Sequence, residues 1–260
     1  MDVEAINSVN SDSSTKEALR YQPQQYSYEG ESFAPTDGVK TATAQAVTSK
    51  GDAKAGEDKN EDPGKKERER MASEASICIS LNDEVVHGIP KKGRVVKEGD
   101  IISLDAGLIY NNYHSDMART FPVGKISDEA QKLIDVTRQS FFEGIKFARA
   151  GCHLHEISAA IGNYAESFGY GVVRDLTGHG IGTKLHEDPE VPNFACRGRG
   201  IRLQSGMTLA IEPMINAGTW EVEWLDDDWT VVTADGALSA HYENTVLITD
   251  GDPEILTLSV

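Results

Sequence analysis

Two aspartates in the stretch Ile101–Phe121 are spaced for joint chemistry. If Asn111 and Asn112 form a two-residue hairpin turn, Tyr110 faces Tyr113 and Gly107 faces Asp116. Asp105 then shares a sheet face with Asp116 and sits diagonally across from it, roughly 7–8 Å away between Cα atoms. Two carboxylates aimed at one point from apolar strands repel unless a cation lies between them. The plainer alternative is an unrelated pair, one of them serving a turn. Further donors follow. Gly178-His179-Gly180-Ile181-Gly182 sets an imidazole among glycines, where backbone can approach a ligand closely, and His186 comes soon after. Glu212 interrupts the apolar run TLAIEPMI and Glu243 interrupts ALSAHYENTVLIT, places where an unpaired charge is strongly unfavourable. Four carboxylates and an imidazole make a hard, oxygen-rich donor set. It suits two divalent ions such as Mn, Fe, Co or Zn, not a structural zinc.

Positioning these donors takes a sheet with helical backing. ICISL, IISLDAGLIY and HSDMARTFPV read as strands, being β-branched and apolar between polar breaks. Ser127 followed by Asp128 and Glu129 opens a helix, with a capping hydroxyl and two acids at the positive end of its dipole. Ala130, Leu133, Ile134, Phe141, Ile145 and Ala148 give that helix an apolar stripe, and Gly151 ends it. A second amphipathic helix runs from about His155 to Gly169, with Ile157, Ile161, Tyr164 and Phe168 inward. GMTLAIEPMIN, DWTVVTA and ALSAHYENTVLIT read as further strands. Strands, two consecutive helices and more strands predict an α+β domain with an antiparallel-rich sheet.

The 260 residues divide in composition. Residues 1–75 read as a disordered or atypical polar leader, with room for a short helix around Thr15–Tyr21, and residues 76–260 as the globular, catalytic domain. A net charge of −17 argues against binding to DNA or anionic lipid, since phosphates are repelled. No apolar run is long enough to span a membrane, and the N-terminus lacks the features of a signal peptide. Cys78, Cys152 and Cys196 are few and scattered, which fits a reducing, cytoplasmic setting and excludes a cysteine zinc site. Arg197–Arg202 reads as a solvated basic loop, Met207 and Met214 as packing, and His114, His153 and His155 as surface or packing residues.

From Ser76 to Leu258 the chain resembles the type I methionine aminopeptidases, dinuclear metallohydrolases of the pita-bread fold. The resemblance rests on SLNDEVVHGIP, GDIISLDAGLIYNNYHSDMARTFPVG, GHGIGTKLHEDPEVPNF, GMTLAIEPMI and DGALSAHYENTVLIT. It implies metal ligands at Asp105, Asp116, His179, Glu212 and Glu243, with Asp116 and Glu243 bridging two ions drawn from Co, Mn, Fe, Zn or Ni. It implies catalytic roles for His87, beside the reacting amide, for His186, at the scissile carbonyl oxygen, and for Glu212 as proton shuttle. Cys78, Leu185 and Trp229 map to the methionine pocket, an apolar and polarisable set. Two positions depart from the family's habit: Leu185 stands where Phe is more usual, and His241 where Gln is, adding an extra ligand or proton carrier beside Glu243. The implied activity is removal of the initiator methionine from nascent proteins when the second residue is small. It belongs to a cytoplasmic monomer that meets nascent N-termini, with the ribosome as a possible partner. X-Pro aminopeptidases and prolidases share the fold but usually carry Arg two residues before the last glutamate and Asp after it, where this chain has His241 and Asn244. Non-catalytic binding relatives lose the ligands, and all five are kept here. The family's two N-terminal helices have no amphipathic counterpart in the leader, which predicts an uncovered half-sheet, low stability and weak activity.

Overall fold

The computed structural model describes residues 77–258; the helix expected around Thr15–Tyr21 and the boundary expected at residue 75 lie outside them. Strands β1 (Cys78–Leu81), β2 (Glu84–Val86), β3 (Ile101–Tyr110) and β4 (Tyr113–Pro122) precede helices α1 (Asp128–Ile145) and α2 (Leu154–Ser167). Then come β5 (Gly171–Val172), β6 (Gly178–Gly180), β7 (Glu187–Val191), β8 (Thr208–Ile211) and β9 (Met214–Asn216). The chain ends with β10 (Val222–Trp224), β11 (Val231–Thr233), β12 (Ser239–His241), β13 (Glu243–Leu247) and β14 (Glu254–Ile255). The main sheet runs β1-β3-β4-β13-β8-β6-β7, with β14 also on β13; two smaller sheets run β10-β11-β2 and β12-β9-β5. Every strand pairing is antiparallel. This is the α+β architecture that the pattern of elements predicts.

The β3–β4 hairpin has the expected register. Asn111 and Asn112 take left-handed backbone, φ 51° and 65°, which asparagine tolerates and a two-residue turn demands. Tyr110 therefore faces Tyr113 and Gly107 faces Asp116. Two expected strands are instead each split. GMTLAIEPMIN breaks at Glu212-Pro213 into β8 and β9, because proline brings no N–H to a ladder. ALSAHYENTVLIT breaks at Tyr242 into β12 and β13. The breaks coincide: Tyr242 donates its N–H to the Pro213 carbonyl at 3.2 Å, so the paired strands leave the main sheet together.

Ser127 caps α1 as its sequence suggests, its hydroxyl accepting the Ala130 N–H at 3.1 Å. The helix closes at Ile145, short of Gly151, because Phe147 and Ala148 bond back to Gly144 and Ile145 in a tightened last turn. Gly144 lies so close to α2 that a Cβ there would stand 2.5 Å from Ile161 Cγ1. Both helices back one face of the sheet. Phe141, Ile157 and Ile161 pack with Leu209, Ile211, Tyr242 and Val246, the residues that alternate with Ala210, Glu212, Glu243 and Thr245. The helix-covered face is apolar and the other face is free for chemistry. At the outer end of the β3–β4 hairpin Leu108, Tyr110 and Tyr113 are exposed. Met207 packs against the helix-side core, as expected.

Candidate metal centre

All five donors lie in two neighbouring rows on the uncovered face. Asp105, Ala118 and Glu243 are register partners across β3, β4 and β13. Glu212 follows Ile211, itself opposite Asn244, and so meets Glu243 where both strands break. The second row sets Gly107 beside Asp116 and, on the next three strands, Thr245, Ala210 and His179 beside one another. Between Asp116 and β13 the backbone ladder opens, and the Thr245 hydroxyl fills the gap: it accepts the Asp116 N–H at 2.9 Å and donates to the Asp116 carbonyl at 3.0 Å. Ala118, Gly107 and Ala210 keep the space above the rows clear.

Ligand atoms of Asp116, His179 and Glu243 all fall within 4.8 Å of one another. Glu212 Oε1 lies 3.6 Å from His179 Nε2, and Glu212 Oε2 lies 3.5 Å from His241 Nε2. Asp105 and Asp116 are close enough to share a proton. Burial pushes both of these carboxyls up to about 6; the charge of Glu212 adds to this at Asp116, while His241 opposes it at Asp105 and Asp116 adds to it there. Burial and adjacent carboxylates hold Glu212 and Glu243 well above the ordinary glutamate range. No lysine or arginine pairs with any of the four among the described residues. Burial holds His179 down to about 4, so its ring is neutral.

These observations fit bound cations. His179 Nδ1 is 2.9 Å from the Gly180 carbonyl, which fixes the hydrogen on Nδ1 and leaves a lone pair on Nε2 facing Glu212. A lone pair turned toward a carboxylate calls for a cation between them. Four crowded carboxylates with no lysine or arginine paired to them among the described residues suit divalent cations. A pH dependence follows for the metal-free protein. With folded-state values near 6 against the usual 3.8, Asp105 and Asp116 favour the fold when protonated; this contribution is complete below the ordinary value and is lost as pH rises through about 6. The urea midpoint of chelator-treated protein is expected to fall between about pH 4 and 6.5, and saturating Mn to restore stability at the upper end of that range. A midpoint that climbs over this window contradicts the crowding of charges.

Of the other predicted residues, His87 and His186 line a cleft of about 780 Å³ together with Val86, His179, Glu212 and Met214, whereas Cys78, Leu185 and Trp229 do not line it. His87, with left-handed backbone at φ 60°, stacks on Trp229 with ring centroids 4.7 Å apart. Burial holds the His87 ring down to about 4. His186 packs edge-on against His179, centroids 4.3 Å apart, and burial, followed by the nearby His114, lowers its pKa. Cys78 is the register partner of Asp105, and burial beside Asp105 and Asp116 pushes its thiol up to about 12. Leu185 reaches over Gly107, where a Cβ would touch Leu185 Cδ1 at 3.7 Å and Asp116 Oδ1 at 3.6 Å. Met214, expected only to pack, also lines the cleft. Sequence reasoning missed Arg119, which donates to the Glu243 carbonyl and to Asn244 Oδ1 and lies 4.1 Å over the Tyr242 ring. It ties β4 to β13 behind the site; the signal was an arginine inside the strand HSDMARTFPV. Thr245 was missed as well, since a threonine in a strand carries no mark of its own.

Residues 35–250 match the model of metallopeptidase family M24. The chain is 62% identical over 184 residues to a methionine aminopeptidase of Clostridium acetobutylicum, covering 71% of this chain and 74% of that one. Methionine aminopeptidase 1 of Bacillus subtilis is 52% identical, over 70% of this chain and 73% of its own. Among solved structures, the methionine aminopeptidase of Thermotoga maritima superposes with a TM-score of 0.69 at 46% identity, covering 70% of this chain and 74% of its own. The prolidase of Pyrococcus furiosus, at 23% identity and TM-score 0.57 over 72% of this chain and 50% of its own, shares the fold.

Proposed function

The chain belongs to metallopeptidase family M24, among its methionine aminopeptidases of pita-bread fold, and from that premise we propose that it removes N-terminal methionine using two divalent ions held by Asp105, Asp116, His179, Glu212 and Glu243. The convergence of Asp116, His179 and Glu243 ligand atoms within 4.8 Å carries this proposal. Ions bound there supply Lewis acidity and an acidified water at neutral pH. Asp116 and Glu243, central to the two rows, would hold these ions together with the other three donors.

The remaining work falls to the chain's own side chains. Glu212, held above the usual glutamate range, takes and returns the proton that moves to the leaving amine. His186, at the cleft wall, donates from its ring to the scissile carbonyl oxygen as negative charge develops there. His87, kept neutral and fixed by its stack on Trp229, hydrogen-bonds the amide next to the cut. The protonated Cys78 thiol, Leu185 and the Trp229 ring give a thioether an apolar, polarisable seat. The acidic floor attracts a free N-terminal amine, which restricts the enzyme to chain ends, and a small second residue passes the cleft.

Nascent polypeptides are the natural substrates on this proposal, met in the cytoplasm by a monomer near the ribosome, with Co, Mn, Fe, Zn or Ni as the ion. No helix among the described residues is long and apolar enough to cross a membrane. Peptide hydrolysis tests the specificity. With added Co or Mn, free methionine is expected from Met-Ala-Ser and nothing from an Xaa-Pro peptide. Cleavage of the Xaa-Pro peptide alone would move the chain to the prolidase branch.

A further inference from the structure

His241 is 1% exposed, and neither its Nδ1 nor its Nε2 has a hydrogen-bond partner. A buried polar ring left in that condition is uncommon and strongly unfavourable. Its backbone is fixed: the N–H donates to Thr120 Oγ1 at 2.8 Å, and the Thr120 hydroxyl donates to its carbonyl at 2.9 Å. The ring therefore projects from a rigid base, with Nε2 3.5 Å from Glu212 Oε2. On the other oxygen of the same carboxylate, His179 Nε2 stands 3.6 Å away.

The two rings that bracket Glu212 are not equivalent. Gly180 fixes the His179 hydrogen on Nδ1, so His179 offers Glu212 only a lone pair. Nothing fixes the tautomer of His241, and a hydrogen on Nε2 would satisfy both the ring and the carboxylate. We propose that His241 is a positioning residue: its Nε2–H donates to Glu212 Oε2 and so turns Oε1 toward the cation held with His179. The contact closes to roughly 2.8 Å by a small rotation of either side chain, giving a charge-assisted bond. This rests on the metal site proposed above and adds the group that orients one of its ligands. Outer partners of this kind commonly change metal affinity by about 10–100-fold.

Cobalt titration of the full chain tests it, with affinity read by competition against a chelator and geometry by the visible absorption of bound Co(II). His241→Leu, which has no donor, is expected to weaken cobalt binding by about 10–100-fold. His241→Asn, whose amide stops short of Glu212, is expected to do the same, so the outcome stands even if leucine unfolds the protein. His241→Gln carries an amide N–H to the same reach. It is expected to keep the affinity within about threefold and to leave the cobalt bands in place, since no ligand is exchanged. In a Glu212→Ala background, His241→Leu is expected to make no further difference. Wild-type affinity in both His241→Leu and His241→Asn overturns the proposal, as does a shift of the cobalt bands in His241→Gln, which would make the ring itself a ligand. A wild-type chain that takes up no cobalt overturns the metal site as a whole, and is distinguished from those outcomes by the parent protein alone.

Discussion

Asp116→Asn is expected to lower kcat/KM on Met-Ala-Ser by at least about 10³-fold while making the metal-free protein more stable by about 1–2 kcal/mol at pH 7.5. Both effects come from one charge. The carboxylate of Asp116 lies within 4.8 Å of donor atoms from His179 and Glu243, the cluster that would hold the proposed ions. An amide of the same shape neither bridges two cations nor balances their charge, and Lewis-acid help worth several kcal/mol is lost, each 1.36 kcal/mol being tenfold in rate. Without metal the same carboxylate is a liability. Burial and the charge of Glu212 push it up to about 6, so above that pH it works against the fold. Kinetics with saturating Mn and urea unfolding after chelation check the two halves. A variant that lost activity and also lost metal-free stability would show Asp116 to be a structural residue.

Ala118→Leu is expected to weaken metal binding by more than about 100-fold and to destabilise the protein by about 1–3 kcal/mol, although alanine bears no donor. Ala118 is fully buried and is the register partner of Asp105 on one side and Glu243 on the other. Partners across antiparallel strands point to one face, so added methylenes at 118 enter the space between two ligands. The strand cannot recede to make room, because Arg119 bonds the Glu243 carbonyl and Asn244 behind it. Calorimetric titration with Mn and a urea melt read the two effects. Affinity within threefold of wild type would show that the side chain at 118 does not share the space of the carboxylates.

Much of this site was legible in the residues themselves. The Asn111-Asn112 turn and a period of two were enough to put Asp105 and Asp116 on one face, and the register agrees residue for residue. Ser127 named the start of α1 because a hydroxyl cap is a local interaction. What failed was non-local. Two long apolar strands were each read as unbroken, whereas Pro213 and Tyr242 meet across the sheet and bend both strands at once. That shared bend carries Glu212 and Glu243 to the same place and turns His241 toward Glu212. Gly151 looked like the end of α1, but the close approach of Gly144 to Ile161 comes with an earlier, tightened close. Periodicity records which face a residue belongs to; it does not record where two strands bend together.

Asp116, His179 and Glu243 bring ligand atoms within 4.8 Å of one another, and the proposal adds Asp105 and Glu212 to the same volume. Elemental analysis of purified, cobalt-saturated protein, freed of loose ions, reads that volume directly. About two divalent ions per chain are expected, falling in Asp116→Asn. A folded wild-type chain that retains none would contradict the assignment of these carboxylates and this imidazole to metal.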